Sequence, residues 1–190
     1  MTLVNKQLNK RRLLLALAAL APFVPAPALA AGIADVTVRD QDDRELRFNR
    51  DLVQGRVVAI NFVFTGCSAV CPLMGANFAS VQQLLGERKA GVPQASLISV
   101  SIDPLNDTPA QLREWRDKFS TRPGWTLVTG RKNDMDRLLQ SLGAAAPDPG
   151  AHAPFILIVD GVNGGPWLRM DGLADPQKVA TALLERTRLK

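Results

Sequence analysis

The sequence predicts an α/β domain: a central mixed sheet flanked by helices, opened by an N-terminal β-hairpin. Three observations carry this. Residues 57–64, 95–102 and 155–159 are short, nearly unbroken apolar runs rich in β-branched and aromatic residues, which is how strands buried on both faces read. Stretches of helical length and amphipathic spacing lie between them, at 73–85, 109–119 and 134–142. Proline, glycine and aspartate punctuate the joins.

Taken in order, residues 36–48 predict a hairpin, two short alternating runs around the polar turn 40–44. Asp35, Asp40, Asp42 and Asp43 crowd this region, but no EF-hand spacing follows them, so they read as a solvated turn. The strand at 57–64 stops at Thr65-Gly66, and Pro72 suits the first turn of the following helix, where a missing N–H costs nothing. After the strand at 95–102, Asp107 or Thr108 can cap a helix that has Pro109 in its first turn. A short strand at 125–129, a helix at 134–142 and a Pro/Gly/Ala-rich loop at 144–153 lead to the strand at 155–159. Residues 161–165 form a turn, 166–170 a hairpin partner, and Asp175-Pro176 opens the terminal helix. Alternating strands and helices, closed by a late hairpin and a helix, match a thioredoxin-like fold with additions.

The N-terminus reads as an address. Lys6, Lys10, Arg11 and Arg12 precede an uncharged apolar stretch of 12 residues, 13–24, and Ala28-Leu29-Ala30 supplies a small-x-small cleavage pattern. That stretch is short against the roughly 20 residues a membrane-spanning helix needs. The expectation is a cleaved secretory signal at 1–30, an uncleaved anchor being the alternative, and one domain at 31–190 in the periplasm or cell envelope. Arg11-Arg12 is also compatible with a twin-arginine route. The chain carries 23 Lys and Arg against 18 Asp and Glu; four of those bases and none of the acids fall within 1–30, which leaves 19 against 18. So balanced a domain, with no basic patch interleaved with aromatics, gives no support to a nucleic-acid partner.

Chemistry concentrates at Cys67 and Cys71, the only two cysteines, placed where a strand ends and a helix begins. A helix N-terminus stabilises thiolate, the form that attacks disulfides and binds metal. A structural disulfide would close a very short loop and constrain the unfolded chain little, so reactivity explains the pair better. A closed zinc site wants four cysteine or histidine ligands, and two cysteines with one histidine are all this chain has. Haem attachment needs C-x-x-C-H, which is absent. Thiol–disulfide exchange and copper binding remain, since two thiolates and an imidazole suit Cu(I), and a sulfur-rich site with a nitrogen can also hold Cu(II). His152, the single histidine, sits just before the strand at 155–159, where it can meet the cysteine loop if the two strands are neighbours. Met74, Met170, Trp115, Trp125 and Trp167 read as packing residues.

With those residues in view, the chain resembles the Sco/SenC family of copper-binding proteins. The resemblance is carried by N-F-V-F-T-G-C-S-A-V-C-P from Asn61 to Pro72, S-V-S-I-D-P-L-N-D-T-P from Ser99 to Pro109, and His152 ahead of an apolar strand ending in Asp160. It implies a thioredoxin-like fold, with Cys67, Cys71 and His152 as copper ligands and Asp103 as a neighbour influencing the metal or the histidine. It also implies a metallochaperone rather than an enzyme, serving assembly of the CuA centre with a cytochrome oxidase subunit or another copper protein as acceptor, or else a copper-dependent redox factor. A thiol reductase that keeps the pair reduced is a further expected partner, and membrane contact is expected only through export or an uncleaved signal. The alternative is a periplasmic thiol–disulfide oxidoreductase using Cys67 as attacking and Cys71 as resolving thiol. The chain departs from common members in the spacer Ser68-Ala69-Val70 and in Pro149-Gly150-Ala151 before the histidine, where acidic residues are usual. Pro154 stands where thioredoxin-like oxidoreductases carry a cis proline.

Overall fold

The computed structural model describes residues 32–86 and 95–188; the expected signal at 1–30 lies outside them. Within them run the strands β1 (Thr37–Asp40), β2 (Glu45–Arg47), β3 (Val57–Val63), β4 (Ala95–Ser101), β5 (Trp125–Thr129), β6 (Phe155–Asp160) and β7 (Leu168–Asp171). The helices are α1 (Val70–Leu85), α2 (Pro109–Asp117), α3 (Lys132–Ser141) and α4 (Pro176–Arg188). One π-type turn covers Phe48–Val53 and one 3-10 turn Pro149–Ala151. The strands join in the order β2-β1-β5-β4-β3-β6-β7. β3, β4 and β5 are parallel, whereas β6 runs antiparallel to β3, β7 to β6, and β1 to both β5 and β2.

The apolar run that predicts β3 is buried along its whole length, because successive side chains point to opposite faces and both faces are covered. Val58, Ile60 and Phe62 pack with Phe48, Met135, Leu138 and Phe155 on one face. Val57, Ala59 and Val63 pack with Phe78, Leu112, Trp125 and Leu183 on the other. Fully burying each side chain of this size contributes about 1.5–3 kcal/mol, so the β3–β4 centre is the anchor on which the loops are hung. Trp115 and Trp125 are core residues as expected, and Trp167 packs at the core margin. A small polar chain crosses the second face: Trp125 Nε1 donates to Ser99 Oγ at 2.9 Å, and Ser99 donates to Asn61 Oδ1 at 2.6 Å.

Two local readings need correction. Asp40 is not solvated. It is fully buried, and its Oδ1 accepts the Asp42 and Arg44 amides at 2.9 Å while Oδ2 pairs with Arg44. A tight turn leaves amides without ladder partners, and an aspartate side chain satisfies them. Nor is Asp107 a helix cap. Thr108 caps α2, its hydroxyl accepting from the Gln111 amide while the Gln111 side chain takes the Thr108 amide. That reciprocal box leaves Asp107 free for another role.

Candidate metal-binding dithiol site

Topology brings the site together. Because β6 runs antiparallel to β3, with Asn61 opposite Ile156, the start of β6 lies beside the end of β3. The loop carrying His152 therefore faces the loop carrying Cys67. β4 runs parallel to β3, Ser101 opposite Val63, so the 102–108 loop arrives at the same edge. Carboxyl ends of strands are where open α/β sheets place ligands.

α1 starts at Val70, three residues before the expected helix, and so includes Cys71 in its first turn. Its N-cap, Ala69, offers no side-chain acceptor, and the first amides of a helix lack internal partners. Cys67 fills the gap: its sulfur accepts the Cys71 amide at 3.4 Å. Both cysteines are free thiols, Cys67 half-buried and Cys71 buried. Burial opposes ionisation of Cys67. The Cys71 thiol and the amides of Cys71, Ala69 and Val70 outweigh it by hydrogen bonding to the sulfur, and hold this thiol below its ordinary range. Cys71 is pushed up to about 12, first by burial, then by its bond to Cys67 and by the Cys67 and Asp107 charges. The two thiols are thus unequal: the outer one ionises readily and the inner one holds its proton.

His152 ends the 3-10 turn Pro149–Ala151, which Asp148 caps by accepting the Ala151 amide at 2.9 Å. Its ring lies 5.4 Å from Phe62 and 5.5 Å from Phe155, nearly parallel to the latter at 23°. Nε2 is shielded from solvent and has no hydrogen-bond partner among the described residues. Such a nitrogen costs about 1–3 kcal/mol when left unpaired, so an orphan here is suited to receive something. Burial, and secondarily the positive charge of Arg169, keep the imidazole pKa below its ordinary value and the ring neutral. The peptide bond before Pro154 is trans, as are all others among the described residues.

Cys67, Cys71 and His152 line one cavity of about 290 Å³, floored by Phe62 and Met74. Met74 is buried, as expected for packing, and lines the same cavity as the thiols. Among the described residues, no three His, Cys, Asp or Glu side chains stand close enough to hold one ion as they are. A larger cavity, about 890 Å³, lies at the opposite end of the sheet where β4 and β5 begin. It contains none of these donors and is not the reactive site.

Asp103 stands beside the site, and Asp107 departs from its expected role as a cap. The Asp103 carboxylate accepts from Asn106 Nδ2 at 3.0 and 2.9 Å and lines an adjoining cavity with Leu105 and Pro149. Asp107 is the one that braces the cysteine loop. It is buried; its Oδ1 accepts the Thr65 amide at 2.9 Å and hydroxyl at 2.6 Å, and its Oδ2 accepts Ser101 Oγ at 2.6 Å. Burial raises its pKa, opposed by the hydrogen bonds from Ser101 and Thr65 and helped by the Asp103 charge. Sequence reasoning passed over it, although the T-x-x-Q box beginning at Thr108 already accounted for the cap.

The fold and site together define a thioredoxin-like protein with a dithiol at a strand-to-helix junction and a histidine on the facing loop. Comparison then places it: the chain belongs to the SCO1/SenC family, whose model matches residues 36–183. A SCO1 protein homolog of Bacillus subtilis (strain 168) is 32% identical over 95 residues, 50% of this chain and 47% of that protein. The chain spans about half the length of the curated relatives it matches. Among solved structures, copper-bound ScoI of Arabidopsis thaliana superposes with a TM-score of 0.65 at 17% identity, covering 82% of this chain and 97% of that one. BsSco, described as a member of the Sco family of cytochrome c oxidase assembly proteins and carrying a disulfide switch, gives 0.67 at 24%, covering 83% and 94%. At these identities the structural likeness establishes the fold.

Proposed function

We propose that this chain is an exported copper carrier of the cell envelope, taking one copper ion as cargo on Cys67, Cys71 and His152 and passing it to a copper-accepting protein. The observation that carries the reading is that His152, whose desolvated Nε2 has no hydrogen-bond partner among the described residues, lines the same cavity as two free thiols. Two soft sulfurs and one imidazole nitrogen form a donor set that selects copper over calcium or magnesium, and copper-bound members of the fold support the choice. The assembly role of BsSco supports a cytochrome oxidase subunit as the acceptor. The basic start, short apolar stretch and Ala28-Leu29-Ala30 support export. Among the described residues no helix is long and apolar enough to cross a membrane.

The unequal thiols suggest an order of events. Cys67, ionised first and reachable from solvent, makes the first contact with the cargo. Cys71 then loses its proton, and loading releases that proton to solvent. His152 needs no deprotonation. Since the donors do not yet meet, at least one must move on loading. On release, an acceptor's thiolates displace Cys67 first, because it is the thiol they can reach. Anaerobic titration of the reduced domain with Cu(I) against a competing chelator tests this. Cys67→Ala and Cys71→Ala are expected to abolish tight binding and His152→Ala to weaken it; unchanged affinity in Cys67→Ala overturns the reading.

The same inequality supports a second reading, thiol–disulfide exchange. The Cys67 thiolate would attack a partner disulfide, forming a mixed disulfide and expelling one partner thiolate. Cys71, after giving up its proton, would attack Cys67 Sγ, closing the Cys67–Cys71 disulfide and freeing the second partner thiol. Turnover of a disulfide substrate by metal-free protein, with no tight copper binding, would favour this alternative.

A further inference from the structure

Among the described residues, no hydrogen bond orients the His152 ring. Ligating histidines are ordinarily fixed by a hydrogen bond at the second ring nitrogen, so something else must set this one. The ring rests on Phe62 and Phe155, which also touch each other with centroids 4.8 Å apart. Phe155 has a third neighbour. The Arg169 guanidinium lies over its ring, with Cζ 3.5 Å from the centroid. Arg169 stands on β7 directly opposite Leu157 of β6, so Phe155 is its diagonal neighbour on the same face, within reach of a long side chain. Arg169 is solvent-exposed and forms no ion pair among the described residues. Its guanidinium lies on Phe155, and a cation at this distance from an aromatic face is held by the ring quadrupole.

We propose that Arg169 is a positioning residue for His152. Its guanidinium pins the Phe155 ring as the plate on which the imidazole stacks, so that Nε2 faces the cysteine cavity already stripped of water. The inference rests on His152 being the third copper donor. It differs from a role in stability: Arg169 lies at the surface of an outer strand, and its influence on the metal runs only through the histidine.

His152 is the sole histidine, so its imidazole proton resonances can be followed without ambiguity in reduced, metal-free protein. Wild type is expected to show ring-current-shifted imidazole signals; Arg169→Ala should move them toward free-imidazole positions, and Arg169→Lys, which keeps a cation over the ring, should restore part of the shift. Cu(I) affinity is then measured in a cycle with His152→Ala. Arg169→Ala should weaken binding about three- to fivefold in the histidine-bearing protein and have no further effect where His152 is already alanine. Unmoved imidazole resonances in Arg169→Ala overturn the positioning role whether or not copper binds. Equal losses in both backgrounds also overturn it, assigning Arg169 a general structural effect. Unchanged affinity in His152→Ala alone overturns the three-donor reading, and this proposal with it.

Discussion

Replacing Asp107 by alanine removes the acceptor for three donors at once: the Thr65 amide and the Thr65 and Ser101 hydroxyls, at 2.9, 2.6 and 2.6 Å. Hydrogen bonds to a charged group contribute about 1.5–3 kcal/mol each. Part of that is offset, because burying a carboxylate is itself costly, and the raised pKa of Asp107 shows that its hydrogen bonds do not fully repay it. The hydroxyls can also turn toward other acceptors, whereas the Thr65 amide cannot. A net loss of about 3 kcal/mol follows for Asp107→Ala, which for a domain of this size lowers Tm by roughly 6–12 °C. Asp107→Asn keeps an oxygen for Thr65 and turns an amide toward Ser101, so its loss should be about 1 kcal/mol. Both variants delete the negative charge that helps hold the Cys71 proton, so in both the Cys71 thiol should titrate lower than in the same background with Asp107 present. Urea unfolding gives the first quantity, and thiolate absorbance against pH, in a Cys67→Ser background, gives the second. Equal stability of Asp107→Ala and wild type would refute the bracing role, and an unmoved Cys71 titration in Asp107→Asn would refute the electrostatic one.

Other outcomes follow from the same geometry. Iodoacetamide near neutral pH should modify Cys67 well before Cys71, as read by peptide mass mapping, since one thiol is half-buried and lowered and the other buried and raised. Gly75→Ala should destabilise by about 1–3 kcal/mol in urea unfolding, because a Cβ there would lie 2.8 Å from the Trp115 ring, a clash larger than the helix-propensity gain of about 1 kcal/mol. Asp134, held below the usual carboxylate range by its hydrogen bond from Arg137 and then by Arg131, contributes stability that is present above the unfolded-state pKa of about 3.9 and lost as pH falls through the folded value. Asp134→Asn should therefore cost stability at pH 7, by about 1 kcal/mol or less given the exposed arginines, and nothing in strong acid, measured by unfolding at both pH values.

Much of the fold was legible because its signals are local. β3 announced itself through a nearly unbroken apolar run, β5 matched its expected range at Trp125–Thr129, and the turn between β1 and β2 followed from its polar residues. Strand order was not legible. Nothing near Phe155 in the sequence says that β6 inserts beside β3, and that single pairing decides whether the His152 loop faces the cysteine loop. The α1 boundary was misplaced because the group satisfying its first amides is a thiol, outside the usual set of capping residues. Asp40 and Asp107 were misread for one reason. Aspartates in turns are usually solvated or capping, and only tertiary packing shows that these two are buried, each holding a loop by three hydrogen bonds or more. Arg169 carried no sequence signal, because its relation to Phe155 exists only across the β6–β7 pairing.

The central claim is that two sulfurs and one imidazole nitrogen share a single copper ion. X-ray absorption at the copper edge, on reduced protein carrying one equivalent of Cu(I), reads those donors directly. The account predicts two sulfur scatterers at one distance and one nitrogen with imidazole outer-shell features, the latter lost in His152→Ala. A first shell without sulfur, or an imidazole signature that survives in His152→Ala, would contradict it.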